Sequence, residues 1–166
     1  MTEHGWFDED WDDDGDDVWD VPTTRSEGHG LATDLPRPPG ALRSGSDALA
    51  VLLDLVGPGR AGGPALWFVL LDSEDRALPV VLPIADVPVR ADRTVARRLL
   101  GLFDGYLRTE APGGSVVVGL VRAAGGDLGA FEAQWVPALR DAADDAGVRL
   151  WAVVAIGESR ARVLEW

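Results

Sequence analysis

The first twenty residues, MTEHGWFDEDWDDDGDDVWD, hold ten carboxylates and no Arg or Lys. A run so acidic cannot bury a core against its own repulsion. Whatever this 166-residue chain folds into must therefore be built from the remaining residues. Residues 1–40 carry twelve acids and two arginines, a net of −10, whereas residues 41–166 carry sixteen acids and thirteen arginines, a net of −3. Residues 21–40 add Pro, Gly, Ser and Thr rather than aliphatic surface, and Pro36, Pro38, Pro39 and Gly40 mark a boundary. The sequence predicts a disordered acidic arm and linker over 1–40 and one α/β domain over 41–166.

The arm is aromatic as well as acidic. Trp6, Phe7, Trp11 and Trp19 give it apolar surface to bury on a partner. Acid would steer it toward a basic protein surface, or toward a basic face of its own domain. The same charge repels phosphate, so nucleic acid is not expected as a direct partner. Apolar runs of about eight residues fall short of a membrane span. With no Cys and no secretory pattern at the start, the expectation is a soluble cytoplasmic protein.

Within the domain, hydrophobic period and punctuation alternate. ALAVLLDLV follows Ser46, a candidate N-cap, and ends at Gly57-Pro58, which predicts a helix. ALWFVLLD (65–72) is apolar on both faces, as a central strand is. A short polar turn leads to ALPVVLPI (77–84), where Pro79 and Pro83 remove donors and place the strand at a sheet rim. Asp92 can cap a second helix with an apolar stripe of Val95, Leu99, Leu102, Phe103 and Tyr106. SVVVGLVR (115–122) is a buried strand. Asp127 is placed to cap a third helix burying Phe131, Trp135, Leu139 and Ala142, with a kink or break at Pro137. RLWAVVAIG (149–157) and ARVLEW (161–166) supply the last strands. Trp67, Trp135 and Trp151 are expected in the core. Right-handed crossover makes the 115–122 and 149–157 strands parallel. The result is a single mixed five-stranded sheet, order 2-1-3-4-5, with helices on both faces.

This element order resembles the cytidine-deaminase-type scaffold, which keeps zinc ligands at the starts of its second and third helices. Those places here read VPVRADR (87–93) and GGDLGAF (125–131), without H-x-E or C-x-x-C. The resemblance therefore implies the fold without its zinc chemistry. A second resemblance rests on LRSGSDALAVLLDLVG (42–57), LWFVLLDSEDRALPVVLPI (66–84) and VPALRDAADDAGVRLWAVVAIG (136–157). These stretches are similar to the uncharacterised domain of unknown function 4192 family. Gly45 stands where that family has Pro, and LPI where it has D-L-P. This likeness implies a fold and no activity.

The chemistry open to the domain is narrow. Both histidines, His4 and His29, lie in the arm, and residues 41–166 contain no His, Cys, Lys or Asn. Ser–His–Asp triads, Cys–His pairs, Schiff-base lysines and His/Cys zinc sites are excluded there. No phosphate-loop or dinucleotide fingerprint occurs. Asp10-x-Asp12-x-Asp14-Gly15 opens like a calcium loop, but its twelfth position is Val21 where a bidentate Glu is needed. No metal and no cofactor are expected. Arg90, Arg93, Arg97, Arg98 and Arg108 cluster on or beside the second helix, either as a solvated face or as a dock for an anion such as the arm. Asp86 and Asp92 read as a turn residue and a cap, and Glu158-Ser159-Arg160 as a hairpin tip. The expected function is a non-enzymatic protein-interaction or regulatory module. The alternatives are a carboxylate enzyme using a divalent cation, with Asp86, Asp92 and Glu158 converging, and a small-anion binder.

Overall fold

A computed structural model of the chain describes residues 40–57 and 62–166. The expected disorder of the arm, its residues Trp6, Phe7, Trp11 and Trp19, and the calcium-like run from Asp10 to Val21 lie outside the described residues.

The described chain runs α1 (Gly45–Val56), β1 (Ala65–Leu71), β2 (Ala77–Ile84), α2 (Arg93–Glu110), β3 (Ser115–Val121), α3 (Ala130–Ala146), β4 (Arg149–Ile156), β5 (Ala161–Glu165). The five strands form one mixed sheet in the order β2-β1-β3-β4-β5. β1 is antiparallel to both β2 and β3, β3 and β4 are parallel, and β5 returns antiparallel to β4. β2 is thereby parallel to β3. The two crossovers, through α2 and through α3, step the same way across the sheet. Both being right-handed, they place both helices on one face.

Strand alternation sorts the core accordingly. Leu66, Phe68 and Leu70 of β1 join Val116, Val118 and Leu120 of β3 under α2 and α3. Val69, Leu71, Val117, Val121 and Val154 face α1 instead. Gly119, in the middle of β3, lacks the Cβ that would press on both Leu52 methyls at 3.1 Å, so α1 rests directly on the strand.

β2 is the sheet rim, as its prolines require; Pro79 and Pro83 are both exposed. Three details differ from the sequence reading, and at Pro137 one of its two alternatives holds. The N-cap of α1 is Ser44 rather than Ser46. Its hydroxyl accepts from the Asp47 N–H, and the Asp47 carboxylate accepts from the Ser44 and Arg43 N–H groups in a capping box. The N-cap of α3 is Gly129, which offers no side chain, because Asp127 is committed elsewhere. Pro137 lies within a single element spanning 130–146 rather than between two short helices. It sits on the exposed side, where the carbonyl it leaves unbonded meets water. Of the tryptophans, Trp135 is fully buried, whereas Trp67 and Trp151 are only half-buried.

Candidate functional site

The carboxyl ends of β2, β3 and β4 share one edge of the sheet, the place where α/β folds hold ligands. Three loops meet there. Arg122, the residue after β3, reaches α3. Its Nη2 donates to Glu132 Oε2 at 3.0 Å and to the Gly126 carbonyl at 2.7 Å. Its Nε lies 2.8 Å from Glu132 Oε1, but the N–H is not aligned as a hydrogen bond and has no other partner. Glu132 is 2% exposed. A carboxylate so buried persists because the guanidinium answers it, and its place in the first turn of α3 suits the helix dipole.

Beside this pair, Asp127 is 6% exposed and accepts two bonds from Arg162 of β5, from Nε at 2.7 Å and from Nη2 at 3.2 Å. That fork holds the Asp127 carboxyl below the usual carboxylate range against the opposing effect of burial, and raises Arg162. Gly157, after β4, packs so closely that an added Cβ would lie 2.6 Å from the Gly126 carbonyl carbon and oxygen. The Glu158 N–H donates to the Gly125 carbonyl at 3.1 Å. The loop from Arg122 to Gly129 is thus stitched to β4, β5 and α3 at once. Both carboxylates buried among the described residues are spent on this stitching.

The three acids that an enzyme reading brings together are kept apart. Asp92 caps α2, accepting from Thr94 and Val95 at 2.8 and 3.2 Å. Asp86 follows β2 with φ of 55° and is exposed. Glu158 follows β4, three strand spacings away, on the order of 14 Å at 4.8 Å per strand. Among the described residues, no group of three or more His, Asp or Glu could hold a metal ion. No helix among them is long and apolar enough to cross a membrane. The starts of α2 and α3, where a deaminase scaffold would carry zinc ligands, present the Asp92 cap and Gly129.

The arginine cluster divides. Arg93 and Arg97 face α3, 3.9 Å from Asp141 and 3.1 Å from Asp145 respectively. Arg108 pairs with Asp104 one turn back. Among the described residues, no ion pair engages Arg90 or Arg98. The domain's own acids therefore answer three of the five arginines.

The apolar stripe of α2 is displaced from the sequence reading. Its core seam is Ala96, Leu100, Phe103 and Leu107, with Phe103 against Phe68 of β1 at a ring separation of 4.9 Å. Val95, Leu102 and Tyr106 lie outside that seam, 38%, 69% and 37% exposed, and Leu99 is half-buried. Two stripes of 4-3-4 spacing run side by side, and only one can face the sheet.

A further groove of about 370 Å³ opens at the other sheet edge, where β5 ends opposite Val153. Arg140, Asp144, Arg149, Trp151 and Trp166 line it, with the two indoles edge to face at 6.4 Å. Arg140 is tied to Glu165, and Arg149 to Asp75.

The stitched corner escaped the sequence reading because Arg122–Glu132 and Asp127–Arg162 pair across separate elements. The exposed stripe had a signal: apolar residues fill two adjacent 4-3-4 registers of α2, more than one interface needs. No protein-family model matches the chain, and no curated protein matches it either.

Proposed function

We propose that this chain is a protein-interaction module of the cytoplasm, in which the acidic, tryptophan-bearing segment over residues 1–20 captures a basic protein surface. The observation that carries this reading is the division of charge. Ten of the thirteen net negative charges fall in residues 1–40, while the domain spends its two buried carboxylates on arginines that hold a loop in place. Acid accelerates encounter with a basic partner, and Trp6, Trp11 and Trp19 are the anchors that retain it. A basic protein from outside the chain fits better than the Arg-bearing helix, because Asp141, Asp145 and Asp104 already answer most of that helix's arginines. The likenesses to the deaminase scaffold and to the domain of unknown function 4192 family belong to this reading as a shared fold without zinc chemistry.

The test compares the full chain with a variant in which Trp6, Trp11 and Trp19 are all Ala. Partners are crosslinked in cells and identified by mass spectrometry at low and at high salt. Basic proteins lost from the variant, and weakened by salt, are expected. Identical partner sets for the two chains would sink the anchor role.

The unpaired state of Arg90 and Arg98 among the described residues favours one second reading, a small-anion site where the loop before α2 enters the helix. Arg98→Ala together with Arg90→Ala would then abolish thermal stabilisation by inorganic phosphate.

A further inference from the structure

We propose that the open lane beside β4, in line with the end of β5, takes an extended segment of a basic partner as an added strand, one that alternates cationic and apolar side chains. The proposal rests on the reading that the partner is basic, and gives that partner a contact on the domain. Three observations carry it.

The first is a bare length of strand. β5 pairs with β4 only from Val153 to Ile156, so residues 149–152 have no strand on that side among the described residues. The groove of about 370 Å³ follows this stretch, and residues 149–153 all line it. It continues the path of β5 for about four residues, on the order of 14 Å. The opposite rim, β2, carries Pro79 and Pro83, whereas residues 149–152 include no proline that would remove a donor. A bulge falls in the same stretch. β3 pairs Val116 with Leu150 and Val117 with Ala152, which leaves Trp151 as the extra residue. Bulges re-aim side chains at sheet edges.

The second is that the two walls of the lane differ. Trp151 packs with the α1 side of the core, and its indole meets that of Trp166 edge to face at 6.4 Å. Trp166 is 72% exposed, and a Cβ added at Gly45 of α1 would lie 3.4 Å from its Cβ. Arg140 and Asp144 of α3 form the other wall. An extended chain sends successive side chains to opposite faces, so a strand in this lane meets aromatic surface and charge by turns.

The third is charge, which selects the occupant. The charged residues lining the groove are Arg140, Asp144, Arg149 and Glu165. Arg140 is paired with Glu165, and Arg149 with Asp75. Among the described residues, no ion pair engages Asp144. Its neighbours on α3, Asp141 and Asp145, are answered by Arg93 and Arg97. On the α1 side, Arg43 acts on Asp47. Asp144 lies in the last turn of α3, which has no basic residue and ends in the negative pole of the helix dipole. A cation from the added strand answers both, while its apolar neighbour covers Trp166.

Amide hydrogen exchange on the full chain tests the proposal, with a peptide that alternates Arg and Val over eight residues as the probe. The expected result is slowed exchange within residues 149–152 and unchanged exchange over β2. Asp144→Arg and Trp166→Ala, both at exposed side chains, should each raise the peptide concentration needed by about tenfold. A peptide of the same composition with its Arg and Val in separate blocks should protect the stretch far less. No protection of residues 149–152 at any soluble peptide concentration overturns the proposal. So does equal protection by the two peptides, or protection indifferent to both substitutions. Protection that grows with protein concentration in the absence of peptide assigns the lane to a second copy and overturns the basic partner. The arm is tested apart from the lane, because a chain with Trp6, Trp11 and Trp19 changed to Ala should still gain the peptide's protection. If that variant keeps its cellular partners while the lane is protected, the arm reading falls and the lane stands.

Discussion

The two crossover helices cover the same face of the sheet and have nearly the same length, 18 residues for α2 and 17 for α3, yet they are used differently. α3 buries seven residues, including Trp135 and the charged Glu132. α2 buries four and leaves a second apolar seam outside. Position explains part of this. α3 is closed in by α2, by the loop after β3 and by the loop before α2, whose Pro88 carbonyl accepts from Trp135 Nε1 at 2.8 Å. α2 ends the helical layer toward the rim strand β2, and its outer flank leaves Leu102 69% exposed while Leu99 packs against the core. A helix at the end of a layer needs one apolar stripe for its own fold.

The sharpest break in this comparison is between the helices' central side chains. Trp135→Ala in α3 should cost about 4 kcal/mol in denaturant unfolding, through a large cavity and a lost hydrogen bond. Leu102→Ala in α2 should change monomer stability by less than about 0.5 kcal/mol. Comparable losses at the two sites would show that Leu102 serves the domain's own core.

Next in size is the buried ion pair that only α3 carries. Arg122→Ala leaves Glu132 buried without its cation and should destabilise by about 3 kcal/mol. Replacing both with Leu should recover much of that loss. If the single and double variants unfold alike, the pair is not the reason Glu132 can be buried.

The helix starts provide a smaller contrast. Asp92→Ala removes the two bonds that cap α2 and should cost about 1 kcal/mol. Gly129→Ala at the start of α3 removes no side-chain cap and should cost less, about 0.5 kcal/mol. Equal effects would mean that Asp92 acts through something other than capping.

Acid should produce the gentlest change. Asp47 is held below its ordinary value chiefly by the Arg43 N–H, and Asp127 chiefly by Arg162. A depressed folded-state pKa contributes stability that is fully present above the unfolded value near 3.9 and is lost as pH falls through the folded value. Stability should therefore hold from neutral pH to about 4 and decline below it. Asp127→Asn should flatten the decline, and an unchanged acid limb would remove Asp127 from its causes.

The strand order and the crossover through α3 could be read from the sequence because β-strand alternation, two prolines on one strand and the handedness rule each act locally or by topology. The cap at Asp92 was legible for the same reason. Caps that depend on competition were not. Asp127 has the right type and spacing to cap α3, but Arg162, thirty-five residues later, offers it a stronger partner. Ser46 lost to Ser44 because Asp47 completes a capping box only with the earlier serine. On α2 the apolar residues were recognised and their partition was not. Ala96 and Leu100 face the sheet in place of Val95 and Leu102, since the phase of a helix on a sheet is fixed by contacts such as Phe103 on Phe68. Of the candidate site residues, Arg93, Arg97, Arg98 and Arg108 lie on α2 and Arg90 just before it. The carboxylates of α3, invisible as partners in a linear reading, answer Arg93 and Arg97, whereas Arg108 is answered within α2 by Asp104.

The pairing of β1 has a consequence for how the chain reaches this fold. Leu71 pairs with Ala77 across a tight turn, but with Ser115 only after all of α2 has been laid down. The hairpin can form early and locally; its union with β3 must wait for a long loop to close. During that interval Pro79 and Pro83 guard one margin of the hairpin, while the other is the naked ALWFVLL edge, without a proline or a charge. The finished sheet is protected at this rim, and the nascent one is not. Aggregation during refolding should therefore track the lifetime of the hairpin before β3 arrives, and a charge at exposed Leu82 would leave that hazard untouched because it lies on the wrong strand.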